Sequence, residues 1–285
     1  MFLRSLLAGL LKREVQKRPS ATAAEAVRRA GEETAAAATA AQDPSAVECD
    51  IAVLMALDIE AGGLLDLMRS TVKTRGAGFT AYSGSLAQQR VVLTVTGPGG
   101  EAAECATGAL IAGHSPKWVI SAGFAGGLHD DLGRGDLLVA DRIVSPDGRR
   151  LTIDFQMSKT AGLHVAALLT VDHIVHTPEE KRSLGQQYGA RAVDMETMAV
   201  AQHCHRAKQC FLAVRVISDT VEDHLPSDIE HLMRQKSKAG QAGAVARALF
   251  RRPTSVKDMW RLKQDAITDS DRLASFLVQI LPRLT

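Results

Sequence analysis

The residues with the most chemical content lie between 191 and 223, RAVDMETMAVAQHCHRAKQCFLAVRVISDTVED. Asp194, Met195 and Glu196 stand at the head of a run with helical apolar spacing, and Ser218-Asp219 closes a nearly continuous apolar stretch. A third carboxyl, Glu60, follows the first apolar run of the core, DIAVLMAL. Carboxyl groups gathered at one pocket can accept hydrogen bonds from neighbouring hydroxyls and, where burial disfavours charge, hold a proton for transfer. Read singly, each has a plainer use. Asp219 fits a helix N-cap or a turn equally well, and Glu60 fits an acidic residue at a helix N-terminus.

The elements that must position these groups follow from periodicity. Met198, Ala199, Ala201 and Cys204 recur at helical spacing from Thr197 to His205, and Phe211 to Ile217, broken only by Arg215, predicts a buried parallel strand. That strand delivers Ser218 and Asp219 to its carboxyl end, where open α/β sheets bind ligands. Glu60 leaves the first strand at the same topological place, ahead of Ala61-Gly62-Gly63 and the helical LLDLM. FTAYSGSL and VVLTVTG, joined through QQR, predict an antiparallel hairpin. It runs into Gly97-Pro98-Gly99-Gly100 before the Ala-rich helix EAAECATGALIAG, and glycines there let the backbone approach an anion or a sugar. Neither the dinucleotide nor the P-loop fingerprint is present. A strand from Trp118 to Ser121, a glycine-rich turn over 123–127 and a strand from Leu137 to Val144 come next. LHVAALLTV then exits at Asp172-His173-Ile174-Val175 into the charged helix TPEEKRSLGQQYG. Strands alternating with helices, and acids or glycines at one edge, predict an α/β fold.

A chain of 285 residues has room for one large core with appendages. The formal charge of +2, with basic residues dispersed except at the two ends, gives no footprint for nucleic acid. The four cysteines, Cys49, Cys105, Cys204 and Cys210, have no CxxC spacing and read as reduced thiols of a cytoplasmic protein. His203, Cys204 and His205 are helical neighbours that point in different directions, so no metal site is expected. No run reaches the roughly 18 apolar residues of a membrane span. Residues 1–18 place Phe2, Leu3, Leu6, Leu7, Leu10, Leu11 and Val15 along one side of a helix with basic residues around them. That helix either lies on a membrane surface or docks on the core or another subunit. We therefore divide the chain into an N-terminal helix and Ala-rich linker (1–47), a catalytic domain (48–250) and a C-terminal helical extension (251–285). The last includes a break at Arg251-Arg252-Pro253, after a helix from about Ile229 to Phe250. Asp269-Ser270-Asp271 is expected to cap a helix within the tail from Ser255 to Leu284.

At these residues the chain resembles the nucleoside phosphorylase superfamily, and most of all its 5'-methylthioadenosine/S-adenosylhomocysteine nucleosidase branch. The resemblance runs from about Ile51 to slightly beyond Ile217. It rests on IAVLMALDIEAGGLL, FTAYSGSL with VVLTVTGPG, VISAGFAGGL with GDLLVADRIV, AVDMETMAVAQHCH and FLAVRVISDTVED. It implies a three-layer α/β/α domain with a central mixed, twisted sheet, no cofactor, and a homodimer or larger assembly. It further implies that Met195 and Glu196 hold the ribose, that Asp219 beside Ser218 protonates purine N7, and that Glu60 activates the attacking water. Arg215 would lie near that water or a phosphate, and Ile174 and Val175 would cover the base. Three departures stand out. Phe124 replaces a small hydroxyl or acidic residue, Ile174 replaces an aromatic that stacks on the purine, and the segment from Val144 to Leu163 is short.

The activity expected is hydrolysis of the N-glycosidic bond of a purine nucleoside, through an oxocarbenium-like transition state. One rival is a phosphate-dependent phosphorylase, including one acting on a lipid-linked adenosyl group. Glu60 argues against it, because a carboxylate repels phosphate. The other rival is a silent nucleoside-binding protein, suggested by Phe124.

Overall fold

The computed structural model describes residues 48–225 and 255–284, except 77, 154, 156, 158 and 159, with side chains of 255–263 left aside. The expected helix in 1–18, the linker to 47, the helix of 229–250 and the break at 251–253 lie outside the described residues.

The chain opens with β1 (Ile51–Met55), α1 (Asp58–Leu67), β2 (Arg69–Arg75), β3 (Thr80–Leu86), β4 (Gln89–Val95) and α2 (Gly100–His114). It continues through β5 (Trp118–Gly127), β6 (Leu137–Val144), β7 (Arg150–Thr152), β8 (Leu163–Thr170) and α3 (Pro178–Tyr188). It ends with β9 (Ala192–Asp194), α4 (Thr197–Arg206), β10 (Cys210–Asp219) and α5 (Ser255–Ile280). All ten strands join one mixed sheet. β1 lies parallel between β4 and β5, and β10 runs parallel to β5 over its whole length. Pairings β5–β10, β10–β6, β6–β8, β8–β9 and β9–β5 close half of the sheet into a ring, while β4, β3 and β2 extend the other half as an antiparallel edge.

The layers follow from alternation along β1. Ile51, Val53 and Met55 face a core shared with Ala61 and Leu64 of α1 and with Leu273, Leu277 and Ile280 of α5. Ala52 and Leu54 face the other core, with Ala103, Ala106 and Leu110 of α2 and Val200 and Cys204 of α4. The α/β fold with a central mixed sheet is thus as expected. Among the described residues, no helix is long and apolar enough to cross a membrane.

Two local expectations need correcting. The glycine-rich 123–127 is not a turn: β5 runs unbroken from Trp118 to Gly127. Its glycines serve close approach instead, since a Cβ on Gly123 would sit 2.7 Å from Glu60 Oε1 and one on Gly126 3.1 Å from Asp219 Oδ2. Nor do Asp269, Ser270 and Asp271 cap a helix, because α5 passes straight through them. Ser270 Oγ donates to the Glu60 carbonyl at 2.9 Å and accepts from Gly63 N at 3.0 Å, so Ser270 docks α5 on α1. Gly63 permits that contact, because a Cβ there would meet the Ser270 carbonyl oxygen at 2.8 Å.

Candidate active site

Glu60 is the third residue of α1, and its side chain folds back over the helix start. Oε2 accepts from Ala56 N at 2.9 Å and Leu57 N at 2.8 Å, so half of this carboxylate caps the helix. Oε1 reaches across to β5 and accepts from Phe124 N at 2.8 Å. The contact uses the backbone, so the identity of the Phe124 side chain does not remove it. Burial pushes the Glu60 carboxyl up, against the three N–H donors and the charge of Arg215, which favour its ionised form.

Glu196 stands at the N-cap of α4, and Oε1 accepts from Gly99 N at 2.8 Å. Gly99 has φ +100°, the left-handed region that glycine enters freely, so the glycine segment presents its N–H to a carboxylate of the protein. Burial, then the charge of Asp194, pushes the Glu196 carboxyl up to about 7, with Glu60 adding to the rise. Asp194 itself is the hub of a buried polar network. Its Oδ1 accepts from Thr170 Oγ1 at 2.7 Å, and Oδ2 accepts from Arg215 Nη2 at 2.6 Å and from Arg215 Nε at 3.2 Å. The Arg215 guanidinium also donates to the Ser121 carbonyl and hydroxyl, both at 2.8 Å, to the Val214 carbonyl at 2.8 Å and to Thr197 Oγ1. Its five N–H groups are all engaged by the protein. Arg215, expected near the attacking water or a phosphate, borders a hollow beside Glu60 and Glu196, with its donors held by Asp194 and its neighbours.

Asp219 ends β10. Oδ1 accepts from Ser218 Oγ at 2.8 Å, and Oδ2 accepts from Lys181 Nζ at 2.6 Å. The Ser218 hydroxyl also has the Ala125 carbonyl within reach at 3.3 Å. Turned to that carbonyl, it leaves a lone pair free for a proton on Oδ1, so the pair suits either protonation state of Asp219.

Glu60, Glu196, Phe124 and Arg215 line one hollow together with Met55, Thr96, Ser121 and Val200. It offers about 10 Å³ to the centre of a water-sized sphere, about what a single water occupies. Asp219, Ser218, Met195, Ile174, Val175, Gly97 and Gly99 are not among its lining. Asp219 lies apart from that hollow on the same strand, beside Gly126 of β5, while Glu60 lies beside Gly123. Those positions stand roughly 10 Å apart along the strand. Met195 and Ile174 are half-buried, and Gly97 has open space where a Cβ would stand. Val175, expected within the segment that covers the base, is buried in a third core cluster with Leu169 and Val171. Lys181 was missed. Its one signal was a place on the same helix stripe as Pro178, Leu184 and Tyr188. Among the described residues, no three His, Cys, Asp or Glu are grouped to hold a metal.

A family model for the phosphorylase superfamily matches residues 50–163 and 155–251. A 5'-methylthioadenosine/S-adenosylhomocysteine nucleosidase of Shewanella piezotolerans is 26% identical over 207 residues, covering 63% of this chain and 90% of the relative. Among solved structures, S-adenosylhomocysteine nucleosidase from Streptococcus pyogenes, in complex with 5-methylthiotubericidin, is 21% identical with a TM-score of 0.64 and covers 84% of this chain and 98% of its own. Futalosine hydrolase of Helicobacter pylori is 19% identical with a TM-score of 0.59, covering 83% and 100%. At these identities the structural likeness speaks to the fold.

Proposed function

The chain belongs to the phosphorylase superfamily, and from that premise we propose that it hydrolyses the N-glycosidic bond of a purine nucleoside of the methylthioadenosine or adenosylhomocysteine type. The observation that carries the reading is the water-sized hollow shared by Glu60 and Glu196, beside an arginine with no donor to spare. A water lodged there has a carboxylate to take its proton. Phosphate would meet two carboxyl groups and an Arg215 already neutralised by Asp194.

The roles follow from charge. Breaking the bond builds positive charge on the sugar and negative charge on the base. Glu196 accepts from ribose hydroxyls beside Met195, and Glu60 takes the proton of the attacking water. Burial pushes both carboxyls up, and at Glu196 the charge of Asp194, with Glu60 adding, carries the rise to about 7, so Glu196 is the one suited to meet the sugar hydroxyls with a proton still on it. At the other end Asp219 delivers a proton to the departing purine, with Ser218 following the change. Phe124 gives no ground for a silent protein, since its N–H supplies the contact to Glu60. The free cysteines fit a reducing compartment, which we take to be the cytoplasm.

The test is incubation of the full chain with methylthioadenosine, adenosylhomocysteine, adenosine, inosine and futalosine, with and without phosphate. Base release without phosphate is expected. Release only with phosphate would select a phosphorylase, and binding without release a silent protein.

A further inference from the structure

Lys181 is among the largest fully buried side chains, and the hydrolytic steps above leave it without a part. It enters from α3, and Nζ donates to Asp219 Oδ2 at 2.6 Å, to the Thr220 carbonyl at 2.7 Å and to the Asp223 carbonyl at 3.0 Å. Three donors meet three acceptors, which leaves none for a ligand. A buried ammonium survives desolvation only where opposite charge and hydrogen bonds answer it, and here one carboxylate and two carbonyls do so. The same nitrogen ties Asp219 to the turn that follows β10. That turn is closed by Thr220 N and Oγ1 donating to Asp223 Oδ2 at 2.7 and 2.9 Å.

Resting on the reading of Asp219 as the group that meets the departing base, we propose that Lys181 is a positioning residue of the leaving-group end. It holds Oδ2 and the 220–223 turn, so that Oδ1, next to the Ser218 hydroxyl, is the oxygen presented to the purine. The electron pair of the glycosidic bond goes to the base; Asp219, resting as a carboxylate paired with Lys181, takes up a solvent proton at Oδ1 as substrate binds, and this Oδ1–H bond breaks as the purine N7–H bond forms. Lys181 keeps its three protons throughout. Its charge makes the ionised carboxylate left behind half of a neutral buried pair, which favours the transfer.

The experiment is a double-mutant cycle on methylthioadenosine hydrolysis, with Lys181→Met, Asp219→Asn and the two combined. Lys181→Met is expected to lose kcat by about 10²-fold, the lower end of what general acid catalysis contributes, while KM changes little. The combined variant is expected to be no slower than Asp219→Asn alone, because the two residues act as one unit. That comparison stays readable even where Lys181→Met alone misfolds, since the combined variant leaves no buried charge unpaired. Unchanged kcat in Lys181→Met, or a combined loss equal to the product of the two single losses, would overturn the assignment. A wild-type chain that releases no base sinks the hydrolase reading itself, which keeps the two failures apart.

Discussion

The two ends of the site hold their carboxyl groups by different means. At the Glu60 and Glu196 end, backbone N–H groups of Ala56, Leu57, Phe124 and Gly99 do the holding, and the nearby guanidinium belongs to Asp194. At the Asp219 end a buried ammonium does it. Neutral dipoles fix a carboxyl in place without cancelling its charge, so burial pushes both Glu60 and Glu196 up, and the charge of Asp194 pushes Glu196 further. A side-chain cation fixes and neutralises at once. On the proposed reading one end takes a proton from water, and the other ends the reaction as an ion pair.

Substitutions at the two ends test that contrast most strongly. Glu60→Gln and Asp219→Asn are each expected to lower kcat by on the order of 10²- to 10⁴-fold, measured by base release, with the fold retained by circular dichroism. Glu60→Gln should also lose about 1–3 kcal/mol of stability, because the new amide N–H₂ faces backbone N–H groups that had donated to the carboxylate oxygens. Retention of activity in either variant would remove the role given to that end.

The glycines of β5 give a smaller and graded effect. Gly123→Ala forces a Cβ to 2.7 Å from Glu60 Oε1, and Gly126→Ala places one 3.1 Å from Asp219 Oδ2. A misplacement approaching 1 Å can cost about 10²-fold, so Gly123→Ala is expected to approach that loss and Gly126→Ala to lose less. The reverse order in kcat would mean that the Lys181 end is the less tolerant one.

The smallest effect is on stability against pH. The Glu196 carboxyl, pushed up to about 7 from an ordinary 4.5, keeps its proton in the folded state where the unfolded chain has lost it. Between those values the folded state binds more protons, so this group's contribution is fully present below the unfolded value and fades as pH rises through the window. Wild type should lose stability relative to Glu196→Gln from about pH 4.5 to 7 in urea titrations, and parallel curves would contradict the raised Glu196 carboxyl.

Much of the fold and the candidate carboxyls were legible in the sequence. Apolar runs marked β1, β4, β8 and β10, and the acids at strand exits marked Glu60 and Asp219, because period and exit position are local properties. The closure of the sheet through the three-residue β9 was not legible, since so short a strand carries no period and its partners lie far away in sequence. Glycines 123–127 misled because glycine marks a turn and a close approach alike. Lys181 looked like any cation of a solvated helix. Beside Arg182 in TPEEKR nothing but its place on the buried stripe tells it apart, and its partner Asp219 is 38 residues away.

The most direct test of a water held between Glu60 and Glu196 is the fate of oxygen-18. With methylthioadenosine in labelled water and phosphate present, the sugar product is expected to carry one heavy oxygen at C1′ by mass spectrometry. An unlabelled sugar 1-phosphate would show instead that phosphate, and not a water lodged between the two glutamates, attacks the bond.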